Sequence, residues 1–316
     1  MDKCKPDNIA QEGVPSVKVT VFTPTYNRRH TLERLYRSLQ KQTFRDFEWL
    51  IVDDGSADDT ESQVAKWQKE EKFFPIRYQW KPNGGKHTAH NLGISLAYGE
   101  YFAILDSDDW YTPDALAVLT AEWDVMPVEI KKLFSNIEGL CCYEDGRMIG
   151  QIYPLDVYDS DNISIQRLCN RPLDTMGMFR LIVLREFPFP DNFEGCFVPE
   201  SLVWDRIAEK YRTRFLNVTV GYKEYLPEGL TKRPLKARVA KSEPHVIYYR
   251  EMAARKSTPF FQKLKCILNV YRYSFHNRLS IIKQIQDDQY VLVSFAFVLF
   301  GYIVYLKDRM AILLGR

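Results

Sequence analysis

Three short strings in the first third of the chain carry residue types that do chemistry. Asp106-Ser107-Asp108-Asp109 sets three carboxylates in four residues directly after the apolar run Tyr101 to Leu105. Carboxylates that crowded repel one another, and a cation relieves the repulsion. Oxygen-only ligands suit Mg²⁺ or Mn²⁺, which bind through one or two carboxylates together with substrate phosphates. Taken alone, the string reads equally well as a solvated acidic turn. Asp53-Asp54-Gly55-Ser56 also follows an apolar run, Phe47 to Val52. A carboxylate there can accept hydrogen bonds from a base or ribose, or it can serve the turn and the next helix. Pro82-Asn83-Gly84-Gly85-Lys86-His87 offers glycine-permitted backbone amides and one cation, a combination that suits a diphosphate. It is also an ordinary loop composition.

The elements between these strings decide which readings hold. Val17, Val19 and Val21 alternate toward a strand ending at Thr23-Pro24-Thr25. Leu32, Leu35 and Leu39 follow with helical spacing. Phe47 to Val52 reads as a strand covered on both faces, and Asp58-x-x-Glu61 as a capping box that opens a helix. Ile76 to Trp80 and Tyr101 to Leu105 are the third and fourth strands, separated by a helix with Ala89, Leu92 and Leu96. Thr112-Pro113-Asp114 starts another helix. Strands alternating with helices imply βαβ units and a mostly parallel sheet. Ligands bind beyond the carboxyl ends of such strands, where every polar string above falls. Farther on, Ile137 to Tyr143 and Met148 to Tyr153 flank a hairpin turn at Asp145-Gly146. Leu181 to Leu184 and Phe215 to Val220 read as strands, and Pro199 to Tyr211 as a helix.

Other classes are excluded by inspection. A calcium loop would need Gly and Glu where Tyr111 and Ala117 stand. Gly85-Lys86 is followed by His87, and Trp80 takes the place of the first glycine of a phosphate loop. His87 and His90 share a helix face, but no third zinc ligand is suggested nearby. A net charge of +2 gives no support for nucleic-acid binding. The six cysteines form no CxxC pair and read as reduced thiols. Met1 to Ser16 is polar, lacks the apolar core of a secretory signal, and reads as a flexible N-terminus.

In order, Phe-Thr-Pro-Thr-Tyr-Asn-Arg (22–28), Gln-Thr-Phe-Arg-Asp-Phe-Glu (42–48), Val-Asp-Asp-Gly-Ser (52–56), Asn-Gly-Gly-Lys-x-x-Ala-x-Asn-x-Gly (83–93) and Leu-Asp-Ser-Asp-Asp (105–109) resemble the family 2 glycosyltransferases, of the kind that builds bacterial cell-surface polysaccharides. The resemblance is tight over residues 17 to 125 and looser to about 235. It implies an α/β GT-A fold: a Rossmann-like, mostly parallel sheet with helices on both faces. The implied domain is 17–235, with a nucleotide-sugar half at 17–125 and an acceptor half at 126–235. A basic helical region follows at 236–316.

The resemblance also implies roles. Asp54 contacts the base, with Asp53 its close alternative. Pro24, Thr25 and Tyr26 line the nucleotide, and Lys86 touches diphosphate or base. Asp106 and Ser107 meet the donor. Asp106 and Asp108 hold Mg²⁺ or Mn²⁺, and Asp109 is a further metal or phosphate-side acid. The donor is a nucleotide sugar, UDP by family habit, carrying a hexosyl or N-acetylhexosaminyl group. Single displacement with inversion needs one carboxylate to take the acceptor's proton. The family's Glu-Asp pair ahead of a Trp-containing helix aligns with Pro199-Glu200-Ser201-Leu202-Val203-Trp204-Asp205-Arg206, which puts Glu200 at the base position. Pro199 replaces the preceding acid. Asp205 is the substitute candidate, and Asp191 and Glu194 are further ones. Trp204 and Arg206 are packing or acceptor residues. Gly229-Leu230-Thr231-Lys232-Arg233 occupies the place of a flexible donor-side loop. The alternatives are a sugar nucleotidyltransferase, which would want a glycine-rich loop after the first strand, and a nucleotide-sugar-binding relative without catalysis.

Between Arg250 and Lys283 stand eight Lys and Arg against one acid, Glu251. The uncharged run from Val291 to Leu306 falls short of the ~20 residues of a full membrane span. The expectation is shallow attachment to an anionic membrane surface, at the inner (cytoplasmic) face, with a saccharide or lipid-linked acceptor.

Overall fold

The computed structural model describes residues 17–168, 174–225, 235, 239–286 and 291–314. The first half alternates β1 (Val19–Thr25), α1 (Arg29–Gln40), β2 (Phe47–Asp53), α2 (Thr60–Glu70), β3 (Ile76–Trp80), α3 (Lys86–Leu96) and β4 (Tyr101–Ile104). Next come β5 (Trp110–Tyr111), α4 (Ala115–Val125), α5 (Val128–Lys131), β6 (Phe134–Cys142), β7 (Met148–Ile149), β8 (Val157–Ser160) and α6 (Asn162–Leu168). Then follow β9 (Thr175–Arg180), α7 (Leu181–Glu186), α8 (Ser201–Ala208) and β10 (Arg212–Tyr222). The helices described in the C-terminal region are α9 (Glu243–Ala254), α10 (Phe260–His276), α11 (Ile281–Gln286) and α12 (Val291–Leu313).

One sheet runs β3-β2-β1-β4-β9-β6-β10-β5, with β7 on β6 and β8 on β10. β3, β2, β1 and β4 are parallel neighbours, and β6 pairs with β10 in parallel. β9 joins the two parallel groups by antiparallel ladders. Both faces of the sheet are covered. Val19, Val21, Trp49 and Ile51 pack with Leu35, Val64, Trp67 and Trp123 on one side. Their neighbours Phe22, Leu50 and Val52 pack with Ala89, Leu184 and Leu202 on the other. The period of two along a strand thus sends apolar residues both ways, which is why these strands read as continuous apolar runs.

Register puts the strand ends level. Thr25 pairs with Asp53, and Asp53 with Trp80. The Asp54 N–H donates to the Thr25 carbonyl at 2.9 Å, and the Leu105 N–H to that of Phe22 at 2.9 Å. Gly93 lets α3 lie close on β1, since a Cβ there would stand 2.3 Å from the Phe22 ring.

Some local expectations change. Leu181 to Leu184 is helical rather than extended. The strand is the preceding Thr175–Arg180, and Leu181, Val183 and Leu184 are buried while Ile182 faces out. A short apolar run has no periodicity that separates helix from strand. The capping box at Asp58 and Glu61 is not formed. α2 starts at Thr60, and Asp58 accepts from the Thr60 N–H (3.2 Å) and hydroxyl (2.5 Å) and from the Arg29 N–H (3.2 Å). Thr112, expected to cap the next helix, stands before its start: α4 begins at Ala115, the Thr112 hydroxyl donates to the Thr219 and Val220 carbonyls (3.4 and 3.3 Å), and Asp114 accepts from Thr43. The second hairpin arm is only Met148–Ile149. The 229–233 loop, Cys4 and Cys169 lie outside the described residues.

Candidate active site

A cavity of about 860 Å³ opens over the carboxyl ends of β1 and β4. Its wall includes Pro24, Thr25, Tyr26 and Asp54 on one side and Asp106, Ser107, Asp108 and Asp109 on another. Asp54 organises the glycine loop. Its carboxylate accepts from the Gly84 N–H (2.9 Å), the Gly85 N–H (2.8 Å) and the Lys81 ammonium (2.6 Å). Gly85 sits at φ +100°, where a side chain would be strained. Asp53, the neighbouring candidate, stands behind this wall. Both its oxygens are taken, by the Ser56 N–H at 2.7 Å and the Tyr78 hydroxyl at 2.6 Å. That is a structural use, and Asp53 is not among the described cavity-lining residues.

Lys86, at the first position of α3, joins two parts of the chain that lie far apart in sequence. Its Nζ is 2.7 Å from Asp106 Oδ1 and 2.7 Å from Glu200 Oε1. Burial opposes the charge on all three groups and the two carboxylates repel each other, but the attraction of each to Lys86 and the hydrogen bonds with it give the net shifts. The Lys86 ammonium is held well above its ordinary range. Asp106 is held at about 2, and Glu200 below the usual carboxylate range. The Lys86 ammonium donates to Asp106 Oδ2 at 2.9 Å, and Asp106 Oδ1 has no hydrogen-bond partner among the described residues.

Asp109 behaves in the opposite way. Burial pushes it up to about 7. Asp106 and Asp108 add to the rise, and Lys223 at 3.1 Å only partly offsets it. Burial and then Asp106 raise Asp108 as well. The Asp108 carbonyl is held by Arg34 at 3.0 Å. Among the described residues no three His, Cys, Asp or Glu side chains converge on a common ion position. A magnesium or manganese site does not need three, because substrate phosphates supply the remaining oxygens. Asp106, whose Oδ1 is paired with Lys86 by charge but accepts no hydrogen bond among the described residues, and Asp108 fit such an ion by charge and donor type.

Glu200 immediately precedes α8, and that helix is held from behind. Arg206 makes a bidentate pair with Glu251 of α9, at 2.5 and 2.9 Å. Asp205, proposed from sequence as a substitute base, faces away from the cavity. It pairs with Arg255 at 2.7 Å, and both side chains are 5 % exposed. Asp191 and Glu194 are exposed and stand outside the described wall. Trp204 stacks on Phe179 at 5.0 Å and also lines the cavity, so packing and a ligand-facing position coexist in it. Asn91 of α3 holds the approach to Glu200. It accepts from the Phe189 N–H (2.9 Å) and donates to the Phe189 carbonyl (2.8 Å). His87 and His90 line the cavity, and among the described residues their ring nitrogens have no hydrogen-bond partners. Burial lowers His90 to about 4, so it is neutral. Neither belongs to a metal cluster among the described residues.

Sequence reasoning missed Lys223, Asp174 and Lys81. Lys223 bridges Asp109 and Asp174, the latter at 2.8 Å. It follows directly on β10, so the same strand-end logic that flagged Asp106 would have found it.

Residues 20–130 match the model of Glycosyl transferase family 2, so that stretch carries a domain of that family. An uncharacterized glycosyltransferase of Rickettsia felis is 31% identical over 206 residues, covering 65% of this chain and 32% of that one. The GalNAc(5)-diNAcBac-PP-undecaprenol beta-1,3-glucosyltransferase of Campylobacter jejuni is 40% identical over 106 residues, covering 32% of this chain and 33% of that one. The chain thus spans about a third of the length of these curated relatives. Among solved structures, S. aureus TarS 1–349 in complex with UDP-GlcNAc superposes with a TM-score of 0.63 at 16% identity, covering 95% of this chain and 93% of that one. At that identity the likeness bears on the fold, which is GT-A-like.

Proposed function

We propose that the chain is an inverting glycosyltransferase that moves a sugar from a nucleotide-diphosphate donor to an acceptor hydroxyl. The observation that carries this reading is the junction of Glu200, Lys86 and Asp106 at the strand ends. It brings a base, a cation and a metal-type carboxylate to one cavity wall. The acceptor oxygen attacks the anomeric carbon as the bond from that carbon to the diphosphate oxygen breaks. The bonding electrons leave with the nucleoside diphosphate, and the acceptor's proton goes to the Glu200 carboxylate. Asp54 and the Gly84-Gly85 loop shape the nucleotide end, and Pro24, Thr25 and Tyr26 flank it. Asp106 and Asp108 would hold Mg²⁺ or Mn²⁺, whose charge offsets that of the departing diphosphate.

Lys86 gives this reading an order. In the ligand-free protein it neutralises Glu200. A donor diphosphate competes for the same ammonium and releases the carboxylate to act as a base, so the donor precedes the acceptor. UDP is the favoured nucleotide, in keeping with the UDP-GlcNAc carried by the S. aureus neighbour. A lipid-linked saccharide at an anionic membrane face is the favoured acceptor, in keeping with the undecaprenol named for the Campylobacter relative.

A panel of nucleotide sugars tests the reading. With Mn²⁺ present, slow release of nucleoside diphosphate from one UDP-sugar is expected, and EDTA should suppress it. Pyrophosphate exchange would point to a nucleotidyltransferase, and neither reaction would point to a binding protein.

A further inference from the structure

The last helix presents an apolar stripe to the outside that the transfer chemistry does not use. Leu299, Ile303, Leu306, Met310 and Leu313 recur every three or four residues along α12, and all are exposed, from 42 % at Leu306 to 80 % at Leu313. At helical spacing they form one face. The opposite face is fixed to α10. Asp308 takes Arg272 at 2.6 and 2.9 Å and His276 at 2.9 Å. Gly301 lies so close that a Cβ would stand 2.6 Å from Tyr271 Cβ. Phe297, Val298 and Ile312 pack inward. The helix therefore cannot roll its stripe into the core without breaking the Asp308 ion pairs.

Charge selects the occupant. Lys307 and Arg309 are exposed and, at about 100° per residue, flank the stripe on opposite sides. Over residues 252–286 and 291–314 the described chain holds one carboxylate, Asp308, and it is buried. Asp287 and Asp288 lie outside the described residues. Lys256, Lys265, Arg278 and Lys283 are exposed as well. A symmetric contact with a second copy would bring these like charges together. No described helix is long and apolar enough to cross a membrane, and spanning would drag Asp308 and Arg272 into hydrocarbon.

The geometry points to α12 as a helix that lies in the plane of an anionic lipid surface, burying the Leu299–Leu313 stripe among acyl chains while Lys307 and Arg309 meet headgroups. This rests on the membrane-face part of the proposed function and not on the transfer step. The purified full chain is tested by co-sedimentation with phosphatidylcholine vesicles, with and without phosphatidylglycerol. Binding is expected only with the anionic lipid and should fall with salt. The pair Ile303→Asp and Met310→Asp should weaken it about a hundredfold, and the pair Lys307→Glu and Arg309→Glu about tenfold or more. Both variants change exposed positions, so their melting temperature and donor hydrolysis should match those of the unaltered protein. Failure of the unaltered chain to bind, equal binding by the Asp variant, or a stripe that instead holds two chains together in sedimentation would each overturn the proposal. Loss of donor hydrolysis in the unaltered chain would instead count against the transferase reading.

Discussion

Glu200 and Asp205 stand one turn apart, and sequence alone offers both as bases. Burial separates them. Glu200 faces the cavity with its side chain 39 % exposed, whereas Asp205 is enclosed with Arg255. Breaking a buried pair leaves an uncompensated charge. Glu209 still reaches Arg255, so Asp205→Ala should cost about 2–4 kcal/mol by chemical denaturation. The folded fraction should keep its transfer rate, and loss of rate without loss of stability would reverse the assignment. Asp109 makes a pH prediction. Its folded pKa of about 7 lies above the ordinary 3.8, so folding disfavours its ionised form. That penalty is absent below the unfolded pKa, grows as pH rises toward 7, and is constant above. Asp109→Asn should therefore stabilise the chain in EDTA by about 1–2 kcal/mol near pH 8 and by little near pH 4. Melting curves at the two pH values check the sign.

α3 is the element that ties fold to site. Lys86 opens it, Asn91 holds the Phe189 loop, and Gly93 seats it on Phe22. Those positions belong to the string that sequence reading singled out, but sequence could assign only Lys86 a task. The roles of Asn91 and Gly93 depend on partners in β1 and in the loop before α8, which local pattern does not name. Gly93→Ala should cost about 1–3 kcal/mol net, because overpacking against Phe22 outweighs the better helix propensity of alanine. It should also lower the transfer rate by displacing Lys86. A thermal melt with parallel rate measurement tests both, and an unchanged melt would show that Phe22 yields freely. At the same scale, α7 shows why part of the second half was misread. Its apolar run was visible, but the helix follows from where β9 stops pairing, a tertiary fact.

For the whole molecule, the parallel half-sheet was legible because strands covered on both faces leave continuous apolar runs, and loops at their ends collect polar residues. The candidate site was legible to the extent that its residues lie on those ends. Lys223 also follows a strand end and was open to the same logic, but Asp174 was not, since the segment before β9 brings it in. The helical extension was legible as basic and apolar, but not as a brace. Arg255 and Arg272 spend their charges on Asp205 and Asp308, so part of the apparent surplus holds α8 and α12 in place, and Glu251 adds its pair with Arg206 of α8. All of this converges on one carboxylate at the cavity wall. The most direct test is Glu200→Gln, followed by transfer rate and donor binding on the same preparation. The account predicts a loss of about 10²–10⁴-fold in transfer rate, with nucleotide-sugar affinity near that of the unaltered chain. Full transfer activity in Glu200→Gln would contradict it.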